Sequence, residues 1–169
     1  KFPRIVLRVS LSALRENYLL LSRMLPGQEV LPMIKADAYG HGAHAVAKAL
    51  RGLPRLYGFG VATLEEGAEI HAALGARGRE SRIVCFSGGA PWTEDKLRYC
   101  VRHALTPVIA NLEDWRRFSR GPAGGIGRVP YELKFNTGMN RLGLTIDETA
   151  AVAARMQTEN HGLTLLMSH

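Results

Sequence analysis

The sequence has 169 residues, 46% hydrophobic and 22% charged, a balance that excludes an intrinsically disordered chain and gives one domain enough apolar material for a core. No apolar run reaches the roughly 18 to 20 residues that a membrane span requires, and no signal-peptide core follows Lys1–Arg4, so the expectation is a soluble, cytoplasmic protein with no membrane partner. The net charge of +7 suits an anionic partner, but Arg77, Arg79 and Arg82, like Arg116, Arg117, Arg120 and Arg128, stand without interleaved aromatics or a nucleic-acid motif, so a solvated basic surface is expected and no nucleic acid.

Short β-rich runs alternate with longer stretches of helical period along the chain. The first strand is expected at 5–9, followed by a helix over 11–24 with Leu11, Leu14, Tyr18 and Leu21 on one stripe and Ser10 as its N-cap. Pro26-Gly27 breaks the chain before a strand at 30–35 and a helix at 43–50. Further strands are expected at 57–62, 82–87, 106–110, 131–135 and 163–168, with helices at 64–74, 94–99, 112–119 and 147–157 between them. Gly121 to Gly125 reads as the most mobile loop. Cys85 and Cys100 lack Cys-x-x-Cys spacing or a paired histidine, which points to buried, inert thiols and not to a metal.

Repeated β-α units predict an α/β fold with a parallel sheet of the TIM-barrel type. A complete eight-stranded barrel takes about 250 residues. The chain is therefore expected to hold an incomplete barrel, with about six barrel strands plus an N-terminal strand, and to be part of something larger.

Lys35 ends an apolar strand and precedes a glycine-bearing turn, Ala36-Asp37-Ala38-Tyr39-Gly40-His41-Gly42. Desolvation there disfavours the ammonium form, leaving an amine able to condense with an aldehyde as a Schiff base. The C-terminal ends of barrel strands are also where such folds place their chemistry. A lone strand-end lysine more often snorkels to solvent; the surrounding residues separate the two readings. Gly40 and Gly42 let backbone approach a phosphate, and His41 is read as capping the following helix.

Lys35-Ala36-Asp37-Ala38-Tyr39-Gly40-His41-Gly42 closely resembles the pyridoxal 5'-phosphate attachment motif of alanine racemases. A second stretch, Lys134-Phe135-Asn136-Thr137-Gly138-Met139-Asn140-Arg141-Leu142-Gly143, resembles that family's Lys-x-Asp-Thr-Gly-Met-x-Arg-Leu-Gly segment, with Asn136 where an aspartate is usual. That departure removes a charge and puts the local hydrogen bonding in question. A third and shorter one, Leu163 to His169, is similar to a strand whose terminal histidine packs on the cofactor ring.

The resemblance implies a catalytic Lys35 that holds pyridoxal 5'-phosphate and then serves as one of two bases at the amino-acid α-carbon. It implies Tyr39 at the cofactor phosphate, Arg141 at its phenolic oxygen, His169 against its ring, and Lys134 as a carbamate that orients Arg141. It further implies a homodimer acting on alanine and supplying D-alanine for peptidoglycan. Residues 1–10 would be a strand that pairs with a second domain outside this sequence, and residues 11–169 a partial cofactor-binding barrel. The opposing base would come from that second domain, so these residues alone would be inactive. Alternatives are a broader-specificity amino-acid racemase of the same fold and a non-catalytic pyridoxal 5'-phosphate-binding protein.

Overall fold

The computed structural model describes residues 5–75, 81–87, 89–120, 128–156 and 162–168. Helix α1 (Leu11–Met24) begins at Ser10, whose hydroxyl accepts from the Ala13 amide at 3.2 Å. Buried Tyr18 ties α1 to the body of the protein by donating to the Pro54 carbonyl at 3.1 Å. The strand expected at 5–9 does not form. These residues have no regular secondary structure, and Ile5, Val6 and Leu7 lie exposed; a strand requires an edge to pair with, and no described element offers them one.

Residues 30–34 run parallel to β1 (Gly58–Val61), with Val30 bridged to Leu56 and Met33 to Gly60. The Ile34 amide donates to the Gly60 carbonyl and the Gly60 amide to the Pro32 carbonyl, both at 2.8 Å. Pro32 has no N–H to give, so the pairing is reduced to bridges where a full strand over 30–35 was expected. Lys35 leaves the ladder and opens α2 (Lys35–Gly40), which leads into α3 (Ala43–Leu50).

Beyond β1 the sheet continues through β2 (Arg82–Cys85), β3 (Leu105–Ile109), β4 (Tyr131–Lys134) and β5 (Leu163–Met167), every pair parallel and neighbours in chain order. Helices α4 (Leu64–Leu74), α5 (Glu94–Arg102), α6 (Leu112–Ser119) and α7 (Ile146–Ala153) connect them. Chain order without reversal is the arrangement of a β/α barrel, whereas a doubly wound sheet reverses it at a switch point. The expected partial barrel is thus what the chain builds. Helix α5 runs past its expected end at Tyr99 because Cys100, buried among core side chains, extends the Leu97 stripe.

Side-chain alternation along each strand sorts the sheet into two faces. One face packs on the helices: a Cβ at Gly67 of α4 would meet Cys85, Leu105 and Ile83 within 3.0 to 3.3 Å, so glycine allows the helix to lie close. Cys85 and Cys100 are buried there and unbonded, and burial pushes the Cys100 thiol up to about 12, as expected for inert thiols. On β5, by contrast, Leu165 and Leu166 are exposed, and no described strand pairs with the far edge.

The opposite face carries polar groups. Glu132 is fully buried; its Oε1 accepts from the Tyr57 hydroxyl at 3.0 Å, while Oε2 has no partner among the described residues. Desolvation raises the carboxyl from its ordinary 4.5, against the smaller opposing influences of Tyr57 and Arg82. A raised value in the fold means that the folded chain keeps a proton which the unfolded chain has lost. The stabilisation is then full below about 4.5 and is lost as pH rises through the folded value. Glu132→Gln, which stays neutral, should melt above the parent at pH 8 by an amount that shrinks as pH falls toward 4.5; a pH-independent difference in thermal denaturation would contradict this.

Candidate functional site

The segment after Lys35 is backbone of the wrong hand. Ala36, Asp37, Ala38 and Tyr39 have φ of 49° to 54° and ψ of 39° to 52°, one turn of left-handed helix without a glycine among them. Each such residue costs roughly 1–2 kcal/mol through the clash of Cβ with carbonyl oxygen, so the turn needs outside support. Ala38 is buried in the core, and its amide donates to the Ile34 carbonyl at 2.9 Å. Asp37 Oδ1 accepts from the Ala43 amide at 2.7 Å, capping α3, and the Gly42 amide donates to the Asp37 carbonyl at 3.0 Å. The cap expected from His41 therefore comes from Asp37. His41 points backward, its Nδ1 donating to the Ala38 carbonyl at 2.7 Å, because the chain reverses through Gly40 and Gly42 at φ of 82° and 87°.

Glu66 supplies the remaining support. Its Oε1 accepts from the Ala36 amide at 2.9 Å and its Oε2 from the Ala62 amide at 2.7 Å.

Where this turn meets the ends of the strands, a cavity of about 610 Å³ opens, lined by Met33, Lys35, Tyr39, Ala62, Phe86, Ser87, Lys134, Arg141 and Leu142. Lys35 is half-buried, with Nζ 6.0 Å from the centre of the Tyr39 ring, within reach of a cation–π attraction. Four of the residues expected to share a site thus line one cavity. The fifth, His169, lies outside the described residues.

Arg141 arrives on a loop that leaves β4 and folds back on it. The Leu144 amide donates to the Lys134 carbonyl at 2.8 Å and the Asn136 amide to the Leu144 carbonyl at 2.9 Å. Gly143 makes this closure possible: a Cβ there would stand 2.5 Å from the Asn136 nitrogen. Asn136 organises the loop interior, its Oδ1 accepting from the Gly138 and Asn140 amides at 3.1 and 3.0 Å while Nδ2 donates to Asn140 Oδ1 at 2.8 Å. An asparagine therefore keeps both acceptor contacts open to an aspartate and adds a donor, which answers the question raised by the departure from Asp.

Lys134 sits at the inner end of β4, buried, with its amine lowered from the ordinary value first by desolvation and then by the Arg141 charge. The cavity so combines a half-buried amine, a phenol, a guanidinium and a second, desolvated amine. That donor set suits an anionic ligand with an electrophilic carbonyl. Glu66 and Asp37 were not singled out from sequence. The only signal for Glu66 is its place three residues after the N-cap Thr63, which marks a helix start and not a reach to residue 36.

Residues 9–169 match the family model described as alanine racemase, N-terminal domain. The chain is 33% identical over 167 residues to the catabolic alanine racemase of Agrobacterium fabrum, a match covering 96% of this chain and 40% of that protein. Among solved structures, the biosynthetic alanine racemase from Pseudomonas aeruginosa superposes with a TM-score of 0.73 at 32% identity, over 95% of this chain and 42% of that one. The alanine racemase from Bartonella henselae with covalently bound pyridoxal phosphate superposes at 0.77 with 25% identity, over 95% and 45%. The chain spans about two fifths of the length of the curated relatives it matches. With the matched model running across nearly all of its residues, this chain belongs to the alanine racemase N-terminal domain family.

Proposed function

We propose that this chain is the cofactor-bearing part of an alanine racemase and holds pyridoxal 5'-phosphate on Lys35. The observation that carries the reading is the convergence of Lys35, Tyr39, Lys134 and Arg141 on one cavity at the C-terminal ends of the strands. The residues present fit the group. Lys35 offers an amine to its aldehyde, Tyr39 a hydroxyl and the turn at Gly40 and Gly42 its backbone to the phosphate, and Arg141 a guanidinium to the phenolic oxygen. When bound, the cofactor supplies an electron sink for the charge left at the α-carbon of the amino acid.

Lys35, once displaced from the cofactor by the substrate amine, is the base that takes the proton from one face of the α-carbon or returns it. The opposite face needs a second base, supplied from outside these residues by a second domain of a partner subunit in a homodimer, with residues 1–10 forming a strand against that domain. The 169 residues alone are accordingly inactive. The intact protein interconverts L-alanine and D-alanine in the cytoplasm, and D-alanine feeds peptidoglycan; His169 packs against the cofactor ring.

Lys134 has a separate task. Burial and the Arg141 charge lower its amine and so enlarge the neutral fraction, and the neutral amine adds to carbon dioxide with loss of a proton to become a carbamate. The anion then pairs with Arg141 where an ammonium would repel it.

Two outcomes test these assignments in the intact protein. Borohydride reduction after incubation with pyridoxal 5'-phosphate should leave a phosphopyridoxyl group on the peptide carrying Lys35, and Lys35→Ala should lose both the label and racemase activity. Label retained at wild-type level in that variant would refute the assignment. Stripping carbon dioxide should weaken cofactor binding on the order of tenfold, as loss of a charge-assisted pair does, bicarbonate should restore it, and Lys134→Ala should respond to neither. Binding indifferent to bicarbonate would remove the carbamate from the account.

A further inference from the structure

Glu66 is the third residue of α4, after the N-cap Thr63. An acid there ordinarily turns back to the N-cap amide, as Glu148 does by accepting from the Thr145 amide at 2.9 Å at the start of α7. Glu66 uses its oxygens elsewhere. One accepts from the Ala62 amide at the end of β1 and the other reaches the Ala36 amide, thirty residues earlier in the chain.

The Ala36 amide belongs to the peptide bond that follows Lys35, so fixing it fixes the backbone on which the amine is mounted. It is also the first amide of the left-handed turn, a conformation that Ala36, Asp37, Ala38 and Tyr39 do not adopt by preference. The two donors converge on a single side chain, and each is a backbone N–H. A carboxylate accepts from both, whereas a carboxamide can accept from one and presents N–H to the other.

We propose that Glu66 is a positioning residue for Lys35. By bridging the left-handed turn to the end of β1, it holds the amine toward the cavity shared with Lys134 and Arg141. This rests on the reading of Lys35 as the cofactor-bearing amine, and the residue acts through Lys35 without touching the cofactor.

The test uses the intact protein, pyridoxal 5'-phosphate as probe and borohydride trapping, with the label at Lys35 measured against that at Lys48, an exposed lysine on α3. Glu66→Gln should lower the Lys35:Lys48 ratio about tenfold, the scale expected for losing one charge-assisted hydrogen bond. Lys48 labelling should stay at the parent level. A purely structural loss would leave the ratio unchanged while lowering the melting temperature.

Amide hydrogen exchange in the parent protein requires no variant: Ala36 should be protected to a degree comparable with Ala62. An unchanged ratio in Glu66→Gln, or free exchange at Ala36 in the parent, would overturn the role of Glu66 and leave the cofactor reading standing. A parent protein that labels Lys35 no better than Lys48 would overturn both.

Discussion

One turn of left-handed backbone, Ala36 to Tyr39, is the constraint on which the site depends. A right-handed continuation from Lys35 would run the chain away from the strand ends along an ordinary helix and carry Tyr39 and the two glycines with it. The left-handed path is intrinsically disfavoured by several kcal/mol over four residues, at roughly 1–2 kcal/mol each, and persists because the surroundings over-determine it. Glu66 holds its first amide, the buried Ala38 its middle, and Asp37 and His41 its exit into α3. None of these contacts is strong alone. Together they convert a costly conformation into a rigid mount for an amine.

The same interior face of the sheet then separates charge by depth. Glu132 and Lys134 are two residues apart on β4 and both face inward, yet their surroundings differ. Glu132 lies deep, hydrogen-bonded to Tyr57, with burial raising its carboxyl. Lys134 lies at the cavity with Arg141 nearby, and both burial and that charge lower its amine. Each is pushed toward neutrality, in keeping with the high cost of an unpaired ion away from water. At the cavity, the Arg141 guanidinium creates a place for negative charge, which a phenolate or a carbamate formed on Lys134 can fill.

Most of the architecture was legible in the sequence. The limits of α1, α3, α4 and α6 fall where helical periodicity placed them, and Ser10, the N-cap expected from sequence, accepts from an amide three residues on, as Thr63 and Asn111 also do at α4 and α6. Strand positions followed from short β-rich runs, and the incomplete barrel from their alternation with helices. A strand is a property of a pair: the one expected over 30–35 is reduced to bridges because Pro32 cannot donate, and residues 5–9, expected to pair with a domain outside this sequence, meet no edge among the described elements. For the site, the motifs around Lys35 and Arg141 identified side chains that do share a cavity. The left-handed turn was not legible, since Ala and Tyr rarely adopt positive φ and Asp does so as a single residue, not within a run of four. Nor were Glu66 and Asp37 as its supports, because their partners are set by the folded path and not by local spacing.

A high-resolution crystal structure of the intact protein is the most direct test of the central claim that a left-handed turn aims Lys35 at the cavity. The account predicts positive φ at all four residues from Ala36 to Tyr39, with the Glu66 carboxylate on the Ala36 and Ala62 amides and Lys35 Nζ facing Arg141. Right-handed backbone over those residues, with the amine turned into bulk water, would contradict it.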